Sequence, residues 1–97
     1  MVGIRAVVST AHASRYLQHL CKHWAHRFET DFDARTGRIV LPLGEARLKS
    51  DAETLTIDLT AKDAAELSGL RDVVVRHVER FAFREQLHFN WIDREVS

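Results

Sequence analysis

Alternating apolar and polar residues at the start of the chain predict a first strand over residues 2–8. Its inward-facing side chains occur at every second position: Val2, Ile4, Ala6 and Val8. A period of two and a high content of β-branched residues are typical of a half-buried strand. Ser9 or Thr10 follows, and either side-chain oxygen can accept from an unpaired N–H group at the start of a helix.

The period then becomes helical, and we predict a first helix from Ala11 to His26 or Arg27. Its apolar face gathers residues that are mostly three or four positions apart: Ala13, Leu17, Leu20, Trp24 and, at the end, Phe28. Its solvent side is polar: Arg15, Gln18 and Lys22. A helix with a single apolar stripe needs a partner on one face only.

Four short strands follow, because the period returns to two from Phe28 onwards. The alternating apolar rows are Phe28, Thr30 and Phe32; Ile39, Leu41 and Leu43; Ala46 and Leu48; and Leu55, Ile57 and Leu59. The segments ARTG, LGE and SDAE are predicted turns. Pro42 has no N–H to donate, which indicates an edge, a bulge or an unpaired position. Short connections make these strands an antiparallel meander with one apolar face.

A second helix is predicted after Thr60 and Asp63, which resemble a capping pair, and it extends towards Phe83. Its buried stripe comprises Leu67, Leu70, Val74, Val78 and Phe81. A kink or a fresh start is compatible with Ser68–Gly69, since glycine inside a helix costs about 1 kcal/mol relative to alanine. The tail LHFNW alternates Leu87, Phe89 and Trp91, and it adds a short strand or packs over the core.

The order β-α-β-β-β-β-α, with an optional C-terminal strand, predicts an α+β fold. Both helices can cover the single apolar face of an antiparallel sheet, which gives a two-layer sandwich. This order matches one half of the TATA-box-binding-protein-like fold. The 97 residues form one domain, 1–97, because two halves would be too small to bury separate cores.

Composition narrows the classes of function. Lys plus Arg and Asp plus Glu both number 14, so the formal net charge is zero. This balance argues against a dedicated nucleic-acid binder and against attraction to anionic membranes. Cys21 has no second cysteine to pair with, no apolar run approaches the roughly 20 residues of a membrane span, and the N-terminus lacks a signal-peptide core. We therefore expect a cytoplasmic protein.

The most unusual feature is a row of four histidines on the first helix: His12, His19, His23 and His26. Their spacing brings the imidazoles within roughly 60° of one another at about 100° per residue. His19, His23 and His26 can present nitrogens to one ion, whereas His12 lies about 10 Å from His19 along the axis. We predict the three as the core of a site for a divalent transition metal or iron, with His12 peripheral.

A straight helix cannot complete such a site alone, so a further ligand would come from Glu29, His77, His88 or a partner chain. The alternatives for the row are histidines that pack and hydrogen-bond locally, or a pH-sensitive cluster of mutually repelling imidazoles. The sequence contains no HExxH, CxxC or zinc-finger spacing. Neither a phosphate-binding loop nor a Ser-His-Asp order is present, so no catalytic residue is indicated.

Two further groups have structural explanations. Cys21 projects roughly opposite the histidine row, at the edge of the apolar face, and we expect a buried, inert thiol. The acidic residues Glu29, Asp31 and Asp33 lie beside a hairpin partner that bears Arg38. We interpret them as a solvated cross-strand charge pattern rather than as catalytic carboxylates.

The segments TAHASRYLQHLCKHWAHRF and HVERFAFREQLHFNW, with the strands between them, resemble a small bacterial domain family of unknown function over nearly the whole chain. Similar domains look to be attached to siderophore-interacting flavoproteins. The resemblance implies an iron or siderophore context and a separate siderophore-handling flavoprotein as a partner. It implies no catalytic residue.

The leading hypothesis is a non-enzymatic accessory domain that binds a metal or metal complex through the histidine row. The alternative is a protein-interaction module that self-associates through a strand edge near Pro42 and the tail with Phe89 and Trp91. An enzyme would require a deep pocket that holds His23 beside Glu29 or His77.

Overall fold

Six antiparallel strands form one sheet, and two helices cover it, in the computed structural model, which describes residues 1–95. The elements in chain order are β1 Val2–Ser9, α1 Ala13–Trp24, β2 Thr30–Phe32, β3 Thr36–Leu41, β4 Gly44–Ser50, β5 Thr54–Ala61, α2 Ala64–Phe81 and β6 Ile92–Arg94. The predicted α+β order and the two-layer arrangement are confirmed. Neither of these helices is long and apolar enough to cross a membrane.

The strands lie in the order β2-β3-β4-β5-β1-β6. β1 pairs with β5 along its full length, from Val2 opposite Ala61 to Ser9 opposite Thr54. Most of the predicted inner rows are buried under the helices, including Ala6, Val8, Ile39, Ala46, Leu55, Ile57 and Leu59, whereas Val2 and Phe32 are exposed. α1 packs over β2 to β5, whereas α2 packs over β1, β4 and β5. The two helices therefore lie side by side on one face.

The first helix is shorter than predicted at both ends. It begins at Ala13, and the residue before it, His12, makes no side-chain cap. Thr10 Oγ1 instead accepts from the backbone N–H of His12 at 3.1 Å, which stabilises the turn before the helix. After Trp24 the chain turns, because the half-buried ring of Phe28 packs against the core and leads the backbone into β2. His26 consequently lies outside the helix.

The turn between β2 and β3 is formed by Asp33 and not by the glycine in ARTG. The carboxylate of Asp33 accepts from the backbone N–H groups of Arg35 and Thr36 at 2.7 and 2.8 Å. Gly37 instead belongs to β3, directly under Cys21 of α1. A Cβ at this position would lie 2.7 Å from the Cys21 sulfur, so the glycine permits the close approach of α1 to the sheet.

Pro42 lies with Leu43 in the turn that joins β3 to β4, so of the three predicted alternatives the unpaired position is the one that the structure shows. Its missing N–H removes no ladder bond, because Leu41 and Gly44 are the last paired residues of the hairpin. The inward row of β3 accordingly ends at Leu41, and Leu43 packs against the core from the turn. We call this segment the β3–β4 tip.

The second helix begins after Asp63, whose carboxylate accepts from the backbone N–H of Glu66 at 2.9 Å. Thr60 is therefore not its cap; it belongs to β5. The helix continues through Gly69 without interruption to Phe81.

The predicted terminal strand exists but begins one residue beyond the tail segment, at Ile92, and it pairs with the edge of β1. Leu87 is buried, and Phe89 and Trp91 are half-buried against the core. Both alternatives for the tail are thus realised together: its aromatic part packs over the core and its end adds a strand.

Candidate functional site

The predicted histidine row is exposed, and three of its members pack against other aromatic rings rather than against one another. The imidazole of His12 lies 6.1 Å from the ring of Tyr16, His19 lies 5.4 Å from Phe81, and His23 lies 5.1 Å from His77, all between ring centroids. Within residues 1–95, no group of three or more His, Cys, Asp or Glu side chains is arranged to hold a metal ion. A site of His19, His23 and His26 is therefore not preformed, and binding of a metal there stays a prediction.

The structure brings His23 of α1 beside His77 of α2. The ring of His77 also lies 4.8 Å from that of Trp24, and the ring of His23 lies 5.9 Å from that of Phe81. His77 was one of the sequence candidates for a further ligand. Another candidate, Glu29, instead pairs with Arg38 at 2.8 Å. The histidine pair is thus formed across the helix–helix contact and not along one helix.

A backbone hydrogen bond fixes the tautomer of His77. Its Nδ1 lies 2.7 Å from the carbonyl oxygen of Val73, one turn earlier in α2. Because a carbonyl oxygen can only accept, Nδ1 must donate, and the neutral ring presents an unprotonated Nε2. Histidines that bind metals commonly donate their second ring nitrogen in this way.

The surroundings of His23 favour its neutral form. The ring is largely exposed, but its partial burial against Trp24 and Phe81 lowers its pKa below the usual 6.5, and the positive charges of His77, Arg80 and Arg27 lower it further. At neutral pH the imidazole of His23 is therefore unprotonated and has a free lone pair. The same groups generate a positive potential when charged, which attracts anions and repels bare cations.

A cavity of about 510 Å³ adjoins the histidine pair, and we call it the helix cleft. Its apolar walls come from α1 and the turn after it, from the β3–β4 tip and from α2: Trp24, Phe28, Leu41, Pro42, Leu43, Leu70 and Val73. His23, His77 and Arg27 are its polar residues. Apolar walls with a few convergent polar groups are typical of small-molecule sites.

Sequence reasoning missed this cleft, although one signal was present. The pattern predicts Leu41 and Leu43 in the inner row of a strand and an edge, a bulge or an unpaired position at Pro42, but three apolar residues at a tight turn also form a cavity wall. Arg27 was assigned to the end of the helix and given no role. Its position in the turn after α1 places it at the cleft.

Charge is segregated on the molecule despite its zero net value. Residues 10–28 contain no Asp or Glu, and their basic residues are Arg15, Lys22 and Arg27, all exposed. The ion pairs of the described chain lie elsewhere, mainly on the outer face of the sheet, as in Arg5–Asp58 at 2.6 Å. The α1 side of the helix layer is consequently basic and unneutralised.

The two structural interpretations from the sequence are confirmed. Cys21 is fully buried, and burial raises the pKa of its thiol to about 11, so it is neither ionised nor reachable. The acidic residues of the β2 region are used in cross-strand pairing and turn formation: Glu29 binds Arg38, Asp31 lies opposite Arg38 and Asp33 holds the turn.

Comparison with known proteins supports the resemblance found in the sequence. The model of DUF2218, a family described as an uncharacterized protein conserved in bacteria, matches residues 5–92. The NMR structure of PA4090 from Pseudomonas aeruginosa is similar, with a TM-score of 0.80 and 30% sequence identity over 95% of this chain and 96% of that chain. No curated protein matches.

Proposed function

The chain belongs to the DUF2218 family of uncharacterized bacterial proteins, and we propose that it is a non-enzymatic binding domain whose helix cleft takes an anionic metal complex. One observation carries the proposal: two adjacent imidazoles, His23 and His77, lie at an apolar cavity that no carboxylate lines in the described chain. The histidine row thereby contributes one ligand, and α2 contributes the other.

The spacing of the two rings suits one shared metal ion. Nitrogens about 2.0–2.1 Å from an ion place two imidazole centroids about 4.5–5 Å apart when the angle at the metal lies between a right angle and the tetrahedral value. The centroids of His23 and His77 are 5.1 Å apart. The lowered pKa of His23 favours its neutral, ligating form, and in neutral His77 the bond from Nδ1 to Val73 leaves Nε2 free to ligate.

Two protein ligands leave the other positions of the metal unfilled, and a chelator would fill them. Because the groups around His23 are basic, a negatively charged complex is favoured over a bare divalent ion. The apolar walls suit the organic part of such a complex, and Arg27 suits a carboxylate on it. The ligand class is therefore an anionic organic chelate with two open metal positions.

The proposed ligand class includes ferric chelates, in keeping with the iron context that the family resemblance implies. A ferric chelate is an organic anion that carries a metal, and the domain would hold it for a separate siderophore-handling flavoprotein in the cytoplasm. The helix cleft also brings His23 beside His77, the arrangement that an enzyme would require, and the non-enzymatic assignment is part of this proposal.

The test is calorimetric titration with nickel nitrilotriacetate, an anionic chelate with two open metal positions. We expect binding at one site per chain and a loss of at least about tenfold in His77→Ala, which corresponds to about 1.4 kcal/mol. His19→Ala is the matched control, because it removes an exposed imidazole from the same helix but leaves the pair intact. Equal affinity in wild type and His77→Ala would overturn the proposal.

Two further titrations separate the parts of the ligand. Nickel chloride tests the bare ion, and metal-free nitrilotriacetate tests the organic anion. We expect both to bind more weakly than the complex. Tighter binding of nickel chloride than of the chelate would show that the charge argument is wrong. A loss of affinity in His19→Ala but not in His77→Ala would place the site on α1, at His19 and His23.

Self-association is the second candidate function, but the residues that support it differ from those predicted from the sequence. The tail aromatics Phe89 and Trp91 are packed against the core, which counts against them as an interface. Val7 and Ile92 are exposed instead, and both project from the outer face of the sheet. Sedimentation of wild type and Val7→Asp at micromolar concentrations tests this candidate; a monomer in both excludes a stable second copy.

A further inference from the structure

A second cavity lies near the start of α1 and beside the chain that leaves α2, away from the helix cleft. Its volume is about 490 Å³. Arg15 and Tyr16 line it from α1, Phe81 lines it from the end of α2, and Phe83, Arg84 and Glu85 line it from the turn that follows. We propose that this cavity binds a small aromatic carboxylate, with the carboxylate held by the arginines and the ring held against Phe83.

The cations of this cavity are available to a ligand. Arg15 and Arg84 have no carboxylate within ion-pair distance in the described chain, although Glu85 lines the same cavity. Two arginines against one glutamate leave a net positive charge, so the cavity favours an anion.

The carboxylate of Glu85 is hydrogen-bonded to residues at the start of α1. Its Oε2 accepts from the hydroxyl of Tyr16 and from Thr10 Oγ1, the latter at 3.0 Å. Burial and the nearby Glu85 carboxylate raise the pKa of Tyr16 to about 12, so its hydroxyl remains a donor. These bonds join the chain after α2 to the start of α1, and they fix the cavity wall on both sides.

The aromatic part of the ligand follows from Phe83 and Arg84. The ring of Phe83 is 77% exposed, and the guanidinium of Arg84 lies 5.4 Å from its centroid. This arrangement presents an aromatic ring next to a cation at one cavity. A ligand ring can stack against Phe83 while its carboxylate accepts from Arg84, a combination that neither an aliphatic acid nor a neutral aromatic compound provides.

The experiment is an NMR titration of the labelled full chain with 1-naphthoate, and it is independent of the helix cleft. We expect amide shifts at residues 11–16 and 81–85, and a Kd weakened at least about fivefold in both Arg84→Gln and Phe83→Leu. Arg76→Gln is the matched control, because it removes an exposed arginine of α2 that does not line the cavity. His77→Ala is expected to leave this Kd unchanged.

Cyclohexanecarboxylate and naphthalene-1-carboxamide complete the test of the ligand class. Each lacks one of the two required features, so we expect each to bind at least about fivefold more weakly than 1-naphthoate. Equal Kd values in wild type, Arg84→Gln and Phe83→Leu would overturn the proposal, as would shifts confined to the helix cleft. Because Phe83 and Arg84 are exposed, both variants are expected to fold, and circular dichroism verifies this directly.

Discussion

Gly37 of β3 lies directly beneath Cys21 of α1, and a Cβ on the glycine would approach the cysteine sulfur to 2.7 Å. Both residues are buried, and the Cδ2 of Leu17 is the next nearest atom at 3.3 Å. The contact determines how closely the first helix approaches the sheet. The contact can be tested directly, because Cys21, which would clash with a methyl group added at position 37, can itself be shortened to alanine.

We predict that Gly37→Ala destabilises the protein by about 1–3 kcal/mol, since an added methyl group in a packed core must displace its neighbours. Cys21→Ala removes the sulfur, so the double variant should recover part of the loss. Urea unfolding of wild type, both single variants and the double variant measures this coupling. Strict additivity of the two changes would show that the contact does not limit the approach of α1.

Gly69→Ala should have the opposite sign. Gly69 lies inside α2, where alanine is favoured by about 1 kcal/mol, and the nearest atom to an added Cβ is the flexible Leu43 Cδ1 at 3.2 Å. We expect a gain of about 0.5–1 kcal/mol in the free energy of unfolding. Gly44→Ala is the contrasting control, because its Cβ would clash with the backbone oxygen of Thr60, and this change should destabilise the protein.

Acid is expected to destabilise the protein through His23. Its folded pKa lies below 6.5 because of burial and of the positive charges of His77, Arg80, Arg27 and His26. The unfolded chain therefore takes up this proton more readily, and the free energy of unfolding falls as pH decreases from 6.5 through the folded pKa. Above pH 6.5 the stabilisation that comes from neutral His23 is fully present.

Denaturation midpoints between pH 7.5 and pH 4.5 measure this effect, with His23→Gln as the variant. We expect a flatter dependence in His23→Gln than in wild type. His19→Gln is the matched control, since the His19 imidazole contacts Phe81 rather than a second histidine. Parallel curves for wild type and His23→Gln would contradict the assignment.

We expect a second loss of stability at lower pH, caused by the turn carboxylates of Asp33 and Asp51. Asp51 accepts from the backbone N–H groups of Glu53 and Thr54 at 2.8 and 2.7 Å, and these bonds lower its pKa below 3.8; Asp33 forms the equivalent bonds in its turn. Their stabilisation is present above pH 3.8 and is lost as pH falls through the folded values.

Asp51→Asn is the informative variant for that window, because the amide oxygen can still accept both bonds but does not titrate in acid. We expect a smaller loss of stability between pH 4 and pH 2 than in wild type, measured by thermal unfolding. Asp51→Ala, which removes the acceptor, should be less stable at every pH. An acid dependence as steep in Asp51→Asn as in wild type would refute the role of this carboxylate.

The sequence was sufficient to predict the elements wherever a period repeats several times. β5 and α2 are the clearest cases, since Leu55, Ile57 and Leu59 alternate strictly and Leu67, Leu70, Val74 and Val78 form one stripe. Helix ends were less accurate because they depend on local bonds. His26 was assigned to the helix, but the packing of Phe28 ends the helix first.

The candidate site shows the same limit at the tertiary level. Helical spacing identified His23 and suggested pairs within α1, because periodicity describes neighbours on one element only. The contact with His77 depends on how α1 and α2 lie side by side on the sheet, which no local pattern encodes. The ARTG pattern likewise predicts a turn at Gly37, whereas glycine is needed there because the thiol of Cys21 lies directly above it.

The position of Gly37 has a consequence for the helix cleft. α1 rests on β3, whereas in the described chain α2 packs on β1, β4 and β5 and not on β3. A larger residue at position 37 would therefore raise one helix and not the other, and it would move His23 relative to His77. A buried strand position that contacts neither imidazole would then set the distance between them, and with it the fit of the proposed ligand.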